Sequence, residues 1–358
     1  METKTAESHS LEKSARERGL RVVAIGGGTG LSTLLKGLKR FVLSPAEISS
    51  QADSPMIRDL CAVVTVSDDG GSSGRLRKEL NMLPPGDIRN CIVALSEDEA
   101  LLSRLFRHRF DKGSGLEGHS FGNLFLAALT SLTSDFSEAV RLSSEILVTR
   151  GHIYPATTSN IELEALMEDG TRVRGETKIT ASRSGISRLS LVPADARPLP
   201  QALDAILQAD IVSIGPGSLF TSCIPNLLVH GVPDALRRSA ALRVYIGNLM
   251  TQPNESTGLT ASEHIQAIFD HAGGKVFDYA LLNSVPVPAE LRARYAEDNS
   301  EPLFNDLEAI RALDVTPILG DYLDASQFAR HAPDRIALDL LSLPARLQHE
   351  GKSQAPKV

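Results

Sequence analysis

A three-layer, doubly wound, mostly parallel α/β fold with a small antiparallel β insertion is what this 358-residue sequence predicts. Three observations carry that expectation. Apolar runs alternate with stretches of helical periodicity along most of the chain. Several runs end in glycine-rich turns, as buried parallel strands do at their C-terminal ends. Only the segment from about 155 to 180 breaks into period-two alternation around a tight turn.

The elements follow in order. Arg21-Val22-Val23-Ala24-Ile25 reads as the first strand and runs into Gly26-Gly27-Gly28-Thr29-Gly30. Leu31, Leu34, Leu35 and Leu38 then recur at helical spacing as far as Lys39-Arg40. Ser44 to Asp59 reads as a polar connection, and 61–66 as a strand leading into Ser67-Asp68-Asp69-Gly70-Gly71-Ser72-Ser73-Gly74-Arg75. Pro84-Pro85-Gly86-Asp87 introduces an apolar helix over 88–95, with Asp87 as its N-cap. The turn Gly118-His119-Ser120-Phe121-Gly122-Asn123 precedes a helix through Leu124, Leu129 and Leu132, and 136–149 reads as another. Asp169-Gly170, between two alternating runs, marks the hairpin of the insertion. Beyond it come a helix at 199–208, a strand at 211–214, a helix at 231–240, a strand at 242–247, a helix at 262–272 and a strand at 276–283. Helices at 289–296 and 304–312, a strand at 315–318 and a helix at 333–343 close the fold. The whole reads as one Rossmann-like domain over 20–345, with flexible tails at 1–19 and 346–358.

Composition narrows the function. An apolar content of 42% supplies a substantial core. A net charge of −7, 4% aromatic residues and no Trp argue against a nucleic-acid partner, which a basic surface and stacking rings would favour. Cys61, Cys91 and Cys223 are odd in number and match no zinc spacing, so they read as reduced thiols of a cytoplasmic protein. No run approaches the roughly 18 apolar residues of a membrane helix, so no membrane insertion is expected.

Three glycine turns at strand ends suggest one crevice for a large phosphorylated ligand. The first half-fits the dinucleotide fingerprint: Gly26 and Gly28 are present, but Leu31 takes the third glycine position. The next strand-ending acid, Asp68, lies about twice the usual distance of roughly 20 residues away. A nicotinamide enzyme stays open on that evidence, while backbone phosphate contact at Gly27, Gly28, Thr29 and Gly30 is favoured. In the second turn, Ser67, Asp68, Asp69, Gly70, Gly71, Ser72 and Ser73 set carboxylates among glycines and hydroxyls. Carboxylates repel phosphate, so Asp68 or Asp69 reads as holding a divalent cation such as Mg²⁺, a sugar hydroxyl, or a hydroxyl to be activated. The alternative is a turn cap. Asp87, Arg89 and Asn90 offer a bidentate phosphate contact and a base or sugar contact, or a capped helix with a solvent-facing arginine. His119, with Asn123, occupies a glycine-flanked turn suited to ligand contact or to a structural role. Gly215, Gly217 and Ser218 form the third phosphate nest, and the uncharged Asn248, Thr251 and Gln252 suit base or sugar recognition by hydrogen bonds. None of these motifs requires a cofactor.

Taken together, Ile25 to Gly30, Val64 to Arg77, Pro85 to Asn90, His119 to Asn123 and Gly215 to Leu219 resemble the YvcK-type gluconeogenesis factors over about 20–345. The resemblance implies a cytoplasmic bacterial protein needed for cell shape and for growth on gluconeogenic carbon. It implies binding of UDP-sugars, notably UDP-N-acetylglucosamine, with no established reaction and with a downstream regulatory protein partner yet to be identified. It also implies a fold similar to the 2-phospho-L-lactate transferases of coenzyme F420 synthesis. On that alternative, Asp68 would help activate an acceptor hydroxyl with Mg²⁺. The resemblance assigns sugar-nucleotide contacts to Tyr295 and Arg330, where a ring could stack on uracil and a guanidinium could meet a diphosphate. Many relatives follow the Arg-His pair with Asp-Pro or Asp-Thr. This chain has Ala332-Pro333, so contacts or regulation through that pair are not carried over. Apolar helical faces could also make a homodimer.

Overall fold

The computed structural model describes residues 19–43, 56–97 and 101–353. Its strands are β1 (Leu20–Gly26), β2 (Ile57–Val64), β3 (His152–Pro155), β4 (Glu162–Met167), β5 (Arg172–Arg174), β6 (Ile186–Val192), β7 (Ile211–Ile214), β8 (Leu242–Ile246), β9 (Tyr279–Asn283), β10 (Thr316–Gly320), β11 (Leu323–Ala325) and β12 (Ala329–His331). Seven of them form one sheet in the order β10-β9-β8-β7-β1-β2-β3, with every neighbouring pair parallel. The chain winds outward from β1 to β3, returns, and winds the other way from β7. The topological switch therefore lies between β1 and β7, where Val22 to Ile25 pair with Ile211 to Ile214.

The predicted α/β sheet is present, and the reason is visible in the burial. Val22 to Ile25, Leu60 to Val64 and all of β7 are buried, as strands covered by helices on both faces must be. The helix Gly28–Lys39 turns Leu31, Leu34, Leu35 and Leu38 into the core. The closing helix Pro333–Ser353 packs alongside it: a Cβ at Gly37 would run into the Pro333 carbonyl.

Several boundaries depart from the sequence reading. β2 begins at Ile57, inside the expected polar connection, because Ile57 and Leu60 are core residues. The rest of that connection, 44–55, lies outside the described residues. A helix, Gly71–Leu80, rises from the second glycine turn, where periodicity is diluted by Gly71, Ser72, Ser73 and Gly74. The helix Leu101–Arg107 and the short edge strand β3 also lacked a periodic signal. Asp87 is not an N-cap: the helix Gly86–Leu95 starts two residues earlier than expected, with Pro85 as its N-cap, and holds Asp87 within its first turn. The closing helix runs on to Ser353 because Leu347 still packs against the core, so the expected tail at 346 begins inside it. Residues 1–18 and 354–358 lie outside the described residues.

The antiparallel insertion is present but sits later than 155–180. Pro155 ends β3 of the main sheet, while β4, β5 and β6 make a three-stranded sheet in the order β5-β4-β6. This sheet is fastened to the body through side chains. The Leu189 N–H donates to His271 Nε2 at 2.9 Å, and His271 Nδ1 donates to the Ala267 carbonyl at 2.7 Å. Asn254 Nδ2 donates to the Thr180 carbonyl at 3.1 Å. Among the described residues, no helix is long and apolar enough to cross a membrane.

Candidate functional site

The turns leaving β1 and β7 touch across the switch point. A Cβ at Gly30 would overlap the Pro216 carbonyl, so only glycine allows this approach. Next to the contact opens a cleft of about 390 Å³. Gly27, Gly28, Thr29 and Gly30 line one side, Gly217, Ser218 and Ser222 the other, and Asn248, Thr251 and Gln252 the end of β8. Tyr295, Asp298 and Ser300, with Ala329 and His331, complete it. A second cavity of about 280 Å³ adjoins it, sharing Thr29, Gly30, Ala329 and His331 and adding Ser32, Thr33, Lys36, Asn90, Val93, Arg107 and Arg330.

Thus ten of the expected site residues line the cleft: Gly27, Gly28, Thr29, Gly30, Gly217, Ser218, Asn248, Thr251, Gln252 and Tyr295. Asn90 and Arg330 line the adjoining cavity. The amides of Asn248 and Gln252 are partly turned inward. Gly217 N–H donates to Asn248 Oδ1 at 3.3 Å, and Leu219 N–H to Gln252 Oε1 at 3.1 Å. Two N–H groups of the third nest are thereby occupied, and Gln252 Nε2 also donates to Ser218 Oγ, which leaves that turn the hydroxyl of Ser222 to offer. Gly215 lines neither cavity. Its positive φ of 81° and its N–H bond to the Ile25 carbonyl make it the pivot of the turn. Tyr295 is half-buried, and its hydroxyl accepts the Ala329 N–H at 3.3 Å, tying the helix Ala289–Glu297 to β12.

The second turn, for which a ligand role was expected, is spent largely on internal bonds. Ser67 is buried against Thr65, their hydroxyls 3.1 Å apart. Ser72 and Ser73 are buried beneath His119 and Asn123. Ser72 Oγ lies 2.9 Å from His119 Nδ1, and Asn123 Nδ2 donates to Ser72 Oγ at 3.1 Å. Arg89 donates to Ser120 Oγ at 2.7 Å, to Asn123 Oδ1 at 3.1 Å and to Asn90 Oδ1 at 2.8 Å. Arg89 is therefore a half-buried brace between two helices and not the solvent-facing arginine of the alternative reading. Burial and the nearby Arg109 hold its pKa below the ordinary value. Burial lowers the pKa of His119 in the same way.

Asp68 and Asp69 differ sharply. Asp69 Oδ1 accepts both the N–H of Thr177 at 2.8 Å and its hydroxyl at 2.6 Å, which docks the insertion on the second turn. Asp68 Oδ1 accepts the Gly70 N–H at 2.9 Å, and its other oxygen sits against Gly86, 2.7 Å from where a Cβ would stand. Gly70 and Gly71 open the helix Gly71–Leu80, and Gly71 has a positive φ of 45° with no atom near its missing Cβ.

Two acids gave no signal in the sequence. Glu176, at the start of the insertion's helix Glu176–Thr180, has its pKa pushed up to about 9 by burial and then by Asp68, Asp87, Glu255 and Asp69. Glu255, buried beside Thr221, is pushed up to about 7 by burial, against the hydrogen bonds it accepts. Asp87 accepts the Gly28 N–H, and burial raises its pKa to about 6 despite that bond. An internal carboxylate thus occupies the N-terminus of the helix Gly28–Lys39, leaving Thr29 and Gly30 as the backbone positions open to a ligand phosphate. Gly27 separates the cleft from this acidic group: a Cβ there would lie 2.6 Å from Thr65 Cγ2 and 2.7 Å from Asp87 Oδ2. Among the described residues no three His, Cys, Asp or Glu side chains converge as a metal-ion ligand set. Asp68 and Asp87 fit Mg²⁺ only in the mode where one or two carboxylates share the ion with water and ligand phosphates.

Comparison with known proteins agrees with this architecture. The sequence profile of the 2-phospho-L-lactate transferase CofD family matches residues 22–323. A gluconeogenesis factor of Halalkalibacterium halodurans is 47% identical over 322 residues, covering 89% of this chain and 95% of its own. That of Bacillus subtilis is 43% identical over 324 residues, covering 90% of this chain and 98% of its own. A crystal structure of a Bacillus halodurans protein superposes with a TM-score of 0.84 at 46% identity, covering 90% of this chain and 99% of that one.

Proposed function

The chain belongs to the CofD family and, within it, to the gluconeogenesis factors, and from that premise we propose that it is a UDP-sugar-binding regulator. In this reading it is cytoplasmic, binds UDP-N-acetylglucosamine without turnover, and links the level of that precursor to cell shape and growth on gluconeogenic carbon. The observation that carries it is the character of the cleft. Its lining is mostly backbone, hydroxyl, amide and apolar groups around the half-buried Tyr295 ring, with His331 and one carboxylate, Asp298, and with no Lys or Arg. That composition suits a nucleoside held by hydrogen bonds and stacking on Tyr295. The amides already engaged at Gly217 and Leu219 keep the walls fixed before a ligand arrives.

Calorimetry with UDP-N-acetylglucosamine is the test. Saturable binding without product is expected, with Tyr295→Ala and Arg330→Ala each weakening it about tenfold or more. Unchanged affinity in both variants would sink the assignment of the site. Tyr295→Phe separates two roles: it keeps the ring and loses the bond to Ala329.

A second reading, a transferase of phosphorus-containing groups, is favoured by one feature. Asp87 lies behind Gly27 beside the cleft, and Asp68 acts on it from the side of Gly86; together they could serve an acceptor hydroxyl with Mg²⁺. Metal-dependent release of a nucleotide in the presence of candidate acceptors would replace the regulator reading with this one.

A further inference from the structure

The helix Phe121–Thr133 turns an apolar side outward. Its buried residues are Gly122, Asn123, Leu126 and Ala127. At about 100° per residue, Phe121, Leu124, Phe125, Ala128, Ser131 and Leu132 fall on the opposite side. Ala128, Ser131 and Leu132 are exposed, Leu132 by 81%, and the other three are half-buried. Apart from Ser131 this face is apolar, and no Asp, Glu, Lys, Arg or His occurs from Ser120 to Ser134. Phe121, Phe125, Ala128 and Leu132 recur at intervals of four, three and four, the spacing of a helix–helix seam. The small Ala128 lies in the middle of the face, where a second helix can approach closely. The neighbouring helix Leu101–Arg107 extends the patch. Its Phe106 meets Phe121 and Phe125 edge-on, with ring centroids 5.8 and 5.1 Å apart, and its Leu101 and Leu105 are exposed. Charges stand on the two flanking helices: Arg104 on this one, and the mutually paired Glu138, Arg141 and Glu145 on the helix Phe136–Ile146. None of the segments outside the described residues contains an apolar run of this length to cover the face.

We propose that this face pairs two copies of the chain about a two-fold axis beside Ala128. A two-fold contact sets a surface against itself, so a charge at its centre would meet its own copy. A different protein could match a charged face with the opposite charge; a second copy cannot. The face meets that condition, being uncharged in a chain whose net charge is −7. A stable dimer buries about 800 Å² on each partner, around an apolar centre with a polar rim. The helix Phe121–Thr133 supplies the centre, and the flanking helices supply Leu101, Leu105 and the charged rim. This pairing does not rest on the function proposed above. It bears on the second glycine turn, because Asn123 in the first turn of the same helix bonds to Ser72 and Arg89.

The test is sedimentation equilibrium on the full chain, where the parent is expected to associate reversibly into dimers. Ala128→Glu and Leu132→Glu alter exposed side chains, and far-ultraviolet circular dichroism establishes that both variants fold. Each is expected to weaken association about a hundredfold or more, because the new carboxylate meets its own copy or an apolar surface. Leu319→Glu, at an exposed leucine on the edge strand β10, is expected to dimerise as the parent does. Ala128→Lys is expected to be monomeric alone. An equal mixture of Ala128→Lys and Ala128→Glu is expected to regain the dimer, because position 128 of one copy meets position 128 of the other. A monomeric parent overturns the proposal and leaves the face to a different protein. Dimers that survive both glutamate substitutions in this helix, an equal loss in Leu319→Glu, or a mixture as monomeric as its components also overturn it.

Discussion

Asp68 and Asp69 are neighbours in the chain, yet one faces the acidic group and the other is a clamp for the insertion. Nothing local separates them; the partner, Thr177, lies 108 residues away. Glu176 shows the same dependence more strongly, because its raised pKa comes from burial among four other carboxylates. Its folded pKa stands above its unfolded one, so its contribution is full below about pH 4.5 and is lost as pH rises toward about 9. Glu176→Gln is therefore expected to stabilise the protein increasingly from pH 5 to 9. The gain at pH 8 should be on the order of 2 kcal/mol, after screening reduces the ~1.4 kcal/mol per pH unit of the unscreened case. Parallel melting temperatures of parent and variant across that range would refute it. Gly30→Ala tests the contact between the first and third turns. The added methyl meets the Pro216 backbone, which cannot rotate away as a side chain would. A loss of about 1–3 kcal/mol in denaturant unfolding is expected, together with loss of UDP-N-acetylglucosamine binding; a variant that folds and binds as the parent does would show that the turns are not coupled.

Among elements, those with strong periodicity were legible: the helix Gly28–Lys39, the helix Ala261–Ala272 with its Thr260–Glu263 capping box, and β7. The elements that escaped are short or glycine-rich. β3 has four residues, and β11 and β12 have three each, too few for a period to register. β3 is ordered by pairing with β2, far back in the chain, whereas β11 and β12 pair with each other as a local hairpin that Tyr295 ties to the helix Ala289–Glu297. The insertion depends on fastenings of this kind at Asp69, Asn254 and His271. Asp69→Ala removes a charge-assisted pair of bonds, worth about 1.5–3 kcal/mol each. Faster amide hydrogen exchange confined to 162–192 is expected, with the seven-stranded sheet unchanged. Unaltered protection there would mean that the insertion holds to the body without this clamp.

For the whole molecule, the cleft lies at the switch point and draws on both halves of the sheet, with β1 on one side and β7 and β8 on the other. A ligand there should stabilise the two halves together. UDP-N-acetylglucosamine at about 100 times its Kd is expected to add ~2.7 kcal/mol and to raise a single cooperative transition in calorimetry. Two transitions, only one of them shifted, would show that the halves unfold separately. The sequence by itself determined the α/β class, most strands and helices, the presence of the antiparallel insertion and the glycine turns of the crevice. It could do so because burial on both faces, helical period and turn chemistry are written in neighbouring residues. Only the tertiary structure decided which polar residues line the cleft and which are bonded internally, how Asp68 and Asp69 divide their roles, and that Lys36, Arg107 and Arg330 share a cavity. Those outcomes depend on side chains meeting across long separations, where charge and hydrogen-bond partners are set by packing and not by spacing along the chain.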